Sequence, residues 1–368
     1  DRLERGIDGI GDIVVSLSYG TGVAQALEDL DAGYRALDEP LSDAQVEELR
    51  SGYAAGLADI VPPGYEAPSV DEVFPQSAAA QYLQYQYLAA NPFPLGERSG
   101  LDDAGDGSQY SEAHAVHHPF LRSVAAALNL GDMLLIDAAA STVVYSVDKR
   151  ADLGTSLVSG PYRDSALAEA VIERLQTAAA DEAVVVDFEP YWPARFAPTS
   201  FMAAAIRDEG RITGAIAVEI PNERLVALTT AGEDWEGTGL GETGEVYIVG
   251  EDGRMRTDSR LWLEDPDRYL ELVNEAGYDA EIAKAVEAFG TTVLIQPVDT
   301  EATKAALAGD TFVDTTTNYL DQGTLTVADS LDIKGLQWVA VSEVSLDEAH
   351  APLRRHMITL LVLLVILV

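Results

Sequence analysis

The chain of 368 residues contains no cysteine. It therefore has no disulfide, no thiolate metal site and no cysteine nucleophile. Basic residues are scarce as well, since 23 Lys and Arg stand against 62 Asp and Glu, for a net charge of −39. A field of that sign repels DNA, RNA and anionic lipid surfaces, so we expect no nucleic-acid partner. The acidity is typical of a solvated surface suited to saline surroundings, and metal binding by acidic groups is the alternative.

Motifs for catalysis are lacking too. The sequence has no G-x-S-x-G nucleophile elbow and no phosphate-binding loop. We therefore expect no catalytic residue and no cofactor in this chain. One glycine motif, GLGETG at residues 239–244, does match the dinucleotide pattern G-x-G-x-x-G. That pattern must follow a strand and open a helix. Here it leads into EVYIV, a strand candidate, so the sequence favours a tight turn that starts a hairpin.

The sequence ends in an apolar run, MITLLVLLVILV, at residues 357–368. A membrane-spanning helix needs about 20 apolar residues, and this run is shorter. Because no polar residue closes the run, we expect it to be the first part of a transmembrane helix, which would anchor the protein in a membrane. A buried core helix is the alternative.

The pattern along the chain indicates helices first and strands later. Residues 77–91 are typical of a helix, and the strand-like spacing begins near residue 131 with MLLIDAAASTVVYSVD. Turn residues at 208–210 and 321–323 join apolar runs into hairpins. The run TTVLIQPV at residues 291–298 is a further strand candidate.

The order strand, strand, helices and three strands occurs twice, without the alternation that a parallel sheet requires. The predicted class is α+β: a long N-terminal helical region, two tandem modules with antiparallel sheets, and the start of a transmembrane helix. The predicted domains are residues 1–110, 111–230, 231–350 and 351–368.

The segment GETGEVYIVGEDGRMRTDSR, residues 241–260, is similar to the strand–turn–strand signature of double Cache sensors. These are tandem PAS-like extracytoplasmic domains of bacterial receptors. Segments such as YLQYQYLAANPFPLGE and VDFEPYWPARFAPTSFMAA further resemble the ectodomains that precede class III adenylate or guanylate cyclases.

This resemblance implies two Cache modules on the extracytoplasmic side of the plasma or inner membrane, a small-molecule ligand and a homodimer. It also implies a C-terminal cyclase domain that this sequence does not include. The output of a histidine kinase or a chemoreceptor, or a membrane-anchored binding protein without output, are the alternatives.

The resemblance also implies that the membrane-distal module, residues 111–230, holds the ligand. Aromatic faces can hold a cation or an apolar body, and a carboxylate can pair with an ammonium group. The alternative is that the aromatic residues belong to the core and the charged residues to the surface. The candidate ligand-binding residues are Tyr145, Lys149, Tyr162, Asp164, Asp187, Glu189, Tyr191 and Trp192.

Two further patterns resemble metal sites. His114 and His118 lie one helical turn apart, a spacing that can hold a metal, but HExxH is absent. Residues 101–108, LDDAGDGS, lack the alternating ligands of a calcium loop. We expect helix packing at the histidines and a turn before a capped helix at the aspartates, with no metal at either place.

Overall fold

The computed structural model describes residues 2–57, 61–62, 65–176, 182–230, 235, 237 and 239–351. These residues form two compact units, which we call the N-terminal unit (5–221) and the C-terminal unit (222–351 with 2–4). The predicted combination of an N-terminal helical region with antiparallel sheets is confirmed. The predicted membrane helix at 357–368 lies outside the described residues, and no helix within them is long and apolar enough to cross a membrane.

Helices precede the first strand for more than a hundred residues. The elements up to the end of the N-terminal unit are α1 (Arg2–Ser18), α2 (Thr21–Arg35), α3 (Asp43–Leu57), α4 (Val70–Val73), α5 (Ala78–Gln84), α6 (Gln109–Ala127), β1 (Met133–Asp137), β2 (Val143–Ser146), α7 (Ala166–Gln176), β3 (Val184–Val185), β4 (Glu189–Tyr191), β5 (Ala197–Asp208) and β6 (Arg211–Ile220).

The sheet of the N-terminal unit has the order β2-β1-β6-β5-β3, with β4 paired to β5 and all of these pairs antiparallel. The predicted hairpin is confirmed: Asp208 pairs with Arg211, and the two residues between them have positive φ. All five residues of β1 are buried, as expected for a strand covered on both faces. Helix α7 packs against β5 and β6, and α2 contacts β1 and β2.

Two glycines allow α2 to pack closely against α6 and against the sheet. A Cβ on Gly33 of α2 would collide with the backbone of Tyr110 in α6. A Cβ on Gly214 of β6 would meet the carbonyl oxygen of Ile136 and the side chain of Leu27 in α2. Because glycine has no Cβ, α2 can lie directly on both α6 and the sheet.

The C-terminal unit carries a second antiparallel sheet, of order β7-β10-β9-β8. Its elements are α8 (Asn222–Thr230), β7 (Glu245–Val249), α9 (Arg260–Glu264), α10 (Pro266–Glu275), α11 (Ala280–Phe289), α12 (Glu301–Leu307), β8 (Phe312–Thr317), β9 (Gly323–Ser330), β10 (Val339–Ser345) and α13 (Leu346–Ala349). Buried and exposed residues alternate along β9, so one face of this sheet meets the core and the other meets solvent.

The GLGETG motif leads directly into β7, as predicted. Gly239 and Gly241 adopt positive φ, which suits a tight turn. The carboxylate of Glu348 in α13 accepts hydrogen bonds from the backbone N–H groups of Glu242 (2.8 Å) and Thr243 (2.7 Å). A Cβ on Gly241 would collide with that carboxylate. The glycines therefore form a tight turn, and this turn binds α13, the helix that follows β10.

Two strand predictions in this unit are wrong. Beyond β7, the second arm of the predicted hairpin forms only isolated bridges, at Met255 and Arg254. The run at residues 291–298 folds into turns, with Leu294 in the left-handed region and the N–H of Gln296 donating to the carbonyl of Thr292. Val293, Ile295 and Val298 are buried because these turns pack into the core. A strand at the same place would have needed the same apolar residues.

Two glutamates face each other inside the second sheet. Glu245 of β7 and Glu343 of β10 are register partners, and both are buried. Glu343 accepts hydrogen bonds from Asn318 (2.7 Å) and from the hydroxyl of Tyr247 (3.1 Å). Burial, together with the charge of Glu245, raises the pKa of Glu343 to about 8.

We predict that this pair makes the C-terminal unit less stable as pH rises. Folded Glu343 keeps its proton up to about pH 8, whereas in the unfolded chain it loses the proton near pH 4–5. Stability should therefore fall between those values and level off above them. Glu343→Gln should flatten this dependence and raise Tm at pH 8.5 by roughly 3–6 °C.

Thermal unfolding followed by circular dichroism from pH 4.5 to 9 measures the effect. Glu287→Gln is the matched control, because Glu287 is exposed in α11 of the same unit. An unchanged slope in Glu343→Gln would show that Glu343 is ionised in the folded protein.

Candidate functional site

A mainly apolar pocket with a volume of about 200 Å³ lies in the N-terminal unit. Helix α3 supplies one side, and the segments that follow α5, β2 and β4 supply the rest. The lining residues are Leu49, Gly52, Tyr53, Ala55, Gly56, Leu88, Ala89, Leu95, Arg98, Arg150, Ala151, Trp192, Pro193 and Arg195.

Local backbone geometry turns several of these residues toward the pocket. The helix that begins as α5 continues as a π-helical turn at Tyr85–Ala89, closed by a bond from the N–H of Ala90 to the carbonyl of Tyr85. A π turn holds one extra residue and often marks a functional site. After β4, a short 3₁₀ turn at Trp192–Ala194 ends with Arg195 in the left-handed region, which non-glycine residues seldom adopt.

An aromatic wall forms one side of the pocket. The ring of Trp192 stacks on Tyr53 with centroids 5.5 Å apart, and on Tyr162 with centroids 6.0 Å apart. Tyr53 and Tyr162 are almost fully buried, whereas Trp192 is only partly buried. Trp192 therefore presents a flat apolar surface whose orientation is set by the two tyrosines.

A buried glutamine supports this wall. Gln84 is fully buried, and its Oε1 accepts a 2.5 Å hydrogen bond from the hydroxyl of Tyr53. Its Nε2 donates to the carbonyls of Ala151 (2.7 Å) and Leu153 (2.8 Å). One amide thus joins α3, α5 and the segment after β2, and satisfies polar groups that burial would otherwise leave unpaired.

Three arginines supply the charge of the pocket. Arg150 is half-buried between two carboxylates, with Asp148 at 2.9 Å and Glu219 at 2.7 Å. Arg98 donates a long hydrogen bond of 3.5 Å to the carbonyl of Lys149. Burial and the nearby charge of Arg195 lower the pKa of Arg98.

Beneath the wall lies a buried acid. Asp152 accepts a 2.6 Å hydrogen bond from the hydroxyl of Tyr191 at one oxygen. Its other oxygen and the hydroxyl of Tyr162 are buried and without a hydrogen-bond partner among the described residues. Burial raises the pKa of Asp152, and the bond from Tyr191 opposes that rise.

Of the residues predicted from sequence, one lines this pocket. Trp192 does so directly, and Tyr162 and Tyr191 pack behind it. Asp164 lies on the surface with a side chain 83 % exposed, next to Arg163. The structure thus places Trp192 in the lining of this pocket and Asp164 outside it.

The two other acidic residues predicted as ligand-binding, Asp187 and Glu189, are half-buried and accept hydrogen bonds from the backbone. Asp187 accepts a hydrogen bond from the N–H of Phe188. Glu189 accepts one from the N–H of Ala166 at the start of α7, at 2.6 Å. Burial raises the pKa of Glu189 to about 6. Neither side chain is among the residues that line the pocket.

Tyr145 and Lys149 belong to a second cluster, with the two histidines of α6. The hydroxyl of Tyr145 lies 2.7 Å from Nδ1 of His118, and Nζ of Lys149 lies 3.0 Å from Nε2 of the same ring. All four side chains are buried. Burial lowers the pKa of Lys149 to about 7 and that of His118 to about 4. This cluster is a hydrogen-bonded part of the core.

The helix packing predicted for the histidines agrees with this arrangement. The rings of His114 and His118 stack with centroids 4.4 Å apart. In residues 101–108, Asp103 and Asp106 accept backbone hydrogen bonds, and Ser108 caps α6, so the predicted turn before a capped helix is confirmed. Within the described chain, no group of three His, Asp or Glu side chains is arranged to hold a metal ion.

Sequence reasoning missed most of the pocket. Tyr53 and Leu49 are one helical turn apart, which marks one face of α3 but not what that face covers. Arg195 follows the predicted Trp192 by three residues and could have been included with it. Arg98 and Gln84 come from a region that was interpreted as helix and loop, without a pattern that indicates a site.

Tyr191→Phe tests the buried acid. Because Asp152 would lose the hydrogen bond to its Oδ2, we expect a loss of roughly 1–3 kcal/mol in the free energy of unfolding. Tyr162→Phe is the matched control, since that hydroxyl has no hydrogen-bond partner within the described residues, and it should cost little. Urea denaturation measures both. Equal losses in the two variants would contradict the assigned bond.

No family model matches the chain, and no curated protein is similar to it in sequence. Solved structures do resemble it. The ligand-binding domain of the Pseudomonas fluorescens chemoreceptor CtaA, in complex with L-serine, is 12% identical; 83% of this chain and 94% of that chain are covered, with a TM-score of 0.35.

The V. cholerae histidine kinase DctB sensor domain is 12% identical, with 82% and 95% covered and a TM-score of 0.37. The ligand-binding domain of the Campylobacter jejuni chemoreceptor Tlp3, in complex with L-valine, is also 12% identical, with 91% and 97% covered and a TM-score of 0.36. All three are sensor or ligand-binding domains. TM-scores this low carry no weight on ligand or output, which must be judged from the chain's own residues.

Proposed function

We propose that this chain is the extracytoplasmic small-molecule-sensing region of a bacterial transmembrane receptor, and that its N-terminal unit binds the ligand. The pocket beside Trp192 is the observation that carries this proposal. It combines a flat aromatic wall, apolar side chains and a partly buried cation, which together suit a small organic molecule. Because the sequence contains no catalytic motif, we assign this pocket to ligand binding and not to catalysis.

The C-terminal unit has features suited to transmitting a signal. Strand β10 spans the second sheet between β7 and β9 and continues directly into α13. Glu348 of α13 accepts hydrogen bonds from the turn that precedes β7. A shift of β10 would therefore move α13 and that turn together. In the proposed receptor, ligand binding changes the population of two such arrangements, and a homodimer passes the change through the membrane.

The proposed output is a class III adenylate or guanylate cyclase, by the sequence resemblance. Sequencing the gene beyond the codon for Val368 tests this part. Metal-binding aspartates of a cyclase would support it. A phospho-accepting histidine or long heptad repeats would replace the cyclase with a kinase or a chemoreceptor, and a stop codon soon after the apolar run would leave an anchored binding protein.

A thermal-shift screen tests ligand binding. The purified chain is screened against a library of amino acids, organic acids, amines, sugars and nucleosides, and a bound ligand should raise Tm in proportion to ln(1 + [L]/Kd). Trp192→Ala should abolish the shift, because it removes the flat wall.

Phe120→Ala is the matched control, since Phe120 is an exposed aromatic residue of α6 that does not line the pocket. It should leave the shift unchanged. A shift that survives Trp192→Ala, or the absence of any shift across the library, would contradict the proposal.

A further inference from the structure

The charge of the pocket is opposite to that of the chain. The whole sequence has 62 acidic and 23 basic residues. Among the described residues that line the pocket, three are arginines and none is acidic. Random placement of charges would favour carboxylates here, so the composition of the lining requires a local explanation.

The three arginines differ in how their charge is balanced. Arg150 is neutralised by Asp148 and Glu219 and therefore holds the structure together. Arg98 makes no salt bridge with any carboxylate of the described chain, and its Nε is buried without a hydrogen-bond partner there. Its side-chain hydrogen bond to the carbonyl of Lys149 is long at 3.5 Å, so the desolvation cost of this partly buried charge is offset only weakly.

The position of Arg195 adds to that cost. Its guanidinium is exposed at the rim and is close enough to Arg98 to lower the pKa of the latter. Two like charges at one opening repel each other, and an anion between them would turn that repulsion into two attractions. Planar guanidinium groups suit carboxylates in particular, because they can donate two parallel hydrogen bonds.

The rest of the lining suits an apolar body of limited size. Trp192 and Tyr53 offer flat faces, and Leu49, Leu88 and Leu95 offer aliphatic ones. The volume is about 200 Å³, and an apolar cavity of about 150 Å³ is enough to hold benzene. The pocket therefore has room for one aromatic ring or a short branched chain in addition to a small charged group.

We infer that the ligand is a small organic carboxylate with an apolar body, whose carboxylate lies against Arg98 and Arg195 and whose body lies against Trp192. This rests on the proposed binding function and specifies the ligand class. The proposed ligand charge is negative, whereas the sequence had suggested a ligand with an ammonium group that pairs with Asp164 or Asp187. In the structure the acids lie elsewhere, and the arginines line the opening.

Titration calorimetry with three acids tests the inference: benzoate, phenylacetate and 3-methylbutanoate, each compared with its own primary amide and with benzylamine. We expect at least one acid to bind, its amide to bind at least tenfold more weakly, and benzylamine not to bind. Arg98→Gln should weaken binding of the acid at least tenfold, and Arg195→Gln should weaken it less.

Arg211→Gln is the matched control, because Arg211 is an exposed arginine of β6 outside the pocket. It should leave binding unchanged. The free protein should tolerate Arg98→Gln, since that change removes a charge without a counter-ion. If Arg98→Gln does not fold, Arg195→Gln at the exposed rim serves in its place.

The outcomes separate this inference from the proposed function. Equal binding of acid and amide, tighter binding of benzylamine, or full binding by Arg98→Gln would overturn the carboxylate assignment. If no acid binds but the library screen finds another ligand that depends on Trp192, the carboxylate assignment fails and the sensor proposal stands. If nothing in the library binds, both fail.

Discussion

One buried amide, that of Gln84, supports the aromatic wall of the pocket in the N-terminal unit. It joins the hydroxyl of Tyr53 on α3 to the carbonyls of Ala151 and Leu153 after β2. A glutamine can satisfy a donor and two acceptors at once without carrying charge, so it can be fully buried at a junction where a lysine or glutamate could not. Gln84 therefore links two sides of the pocket, α3 and the segment after β2.

The same unit shows how charge is tolerated in its interior. Arg150 is half-buried and pairs with two carboxylates, while Asp132 is buried and accepts hydrogen bonds from the hydroxyl of Ser146 and from the N–H of Asp148. Each of these charges has partners that repay part of its desolvation. Arg98 differs from them because no carboxylate of the described chain pairs with it and its hydrogen bond to the carbonyl of Lys149 is long. This contrast within one unit is why we assign Arg98 to ligand binding.

The sequence predicted the architecture better than the site, for physical reasons. Hairpins such as the one turned by Glu209 and Gly210 depend on neighbouring residues, so local patterns reveal them. The GLGETG motif could likewise be assigned to a turn, because the strand that follows it is visible in the sequence. The run at 291–298 was wrongly predicted as a strand, because a series of apolar side chains indicates burial but does not specify the backbone conformation.

The pocket could not be predicted in the same way. Arg98 follows a π-helical turn, and Arg195 follows a 3₁₀ turn in the left-handed region. They meet only after the sheet and helices have assembled, and no periodicity relates residues so far apart in the chain. Trp192 was predicted through the resemblance of its segment to sensor domains, whereas no local pattern placed arginines beside it.

The net charge of −39 also bears on how an anion could reach such a site. At physiological ionic strength, exposed charges act over a screening length of about 8 Å, so the acidic surface repels an anion only near the protein. The described lining of the opening includes Arg98 and Arg195 and no acid, and partly buried charges are screened less than exposed ones. Repulsion by the surface slows the approach of every anion alike, whereas attraction within the pocket acts only on those that fit. An acidic surface around an arginine-lined opening therefore favours selectivity over rapid capture.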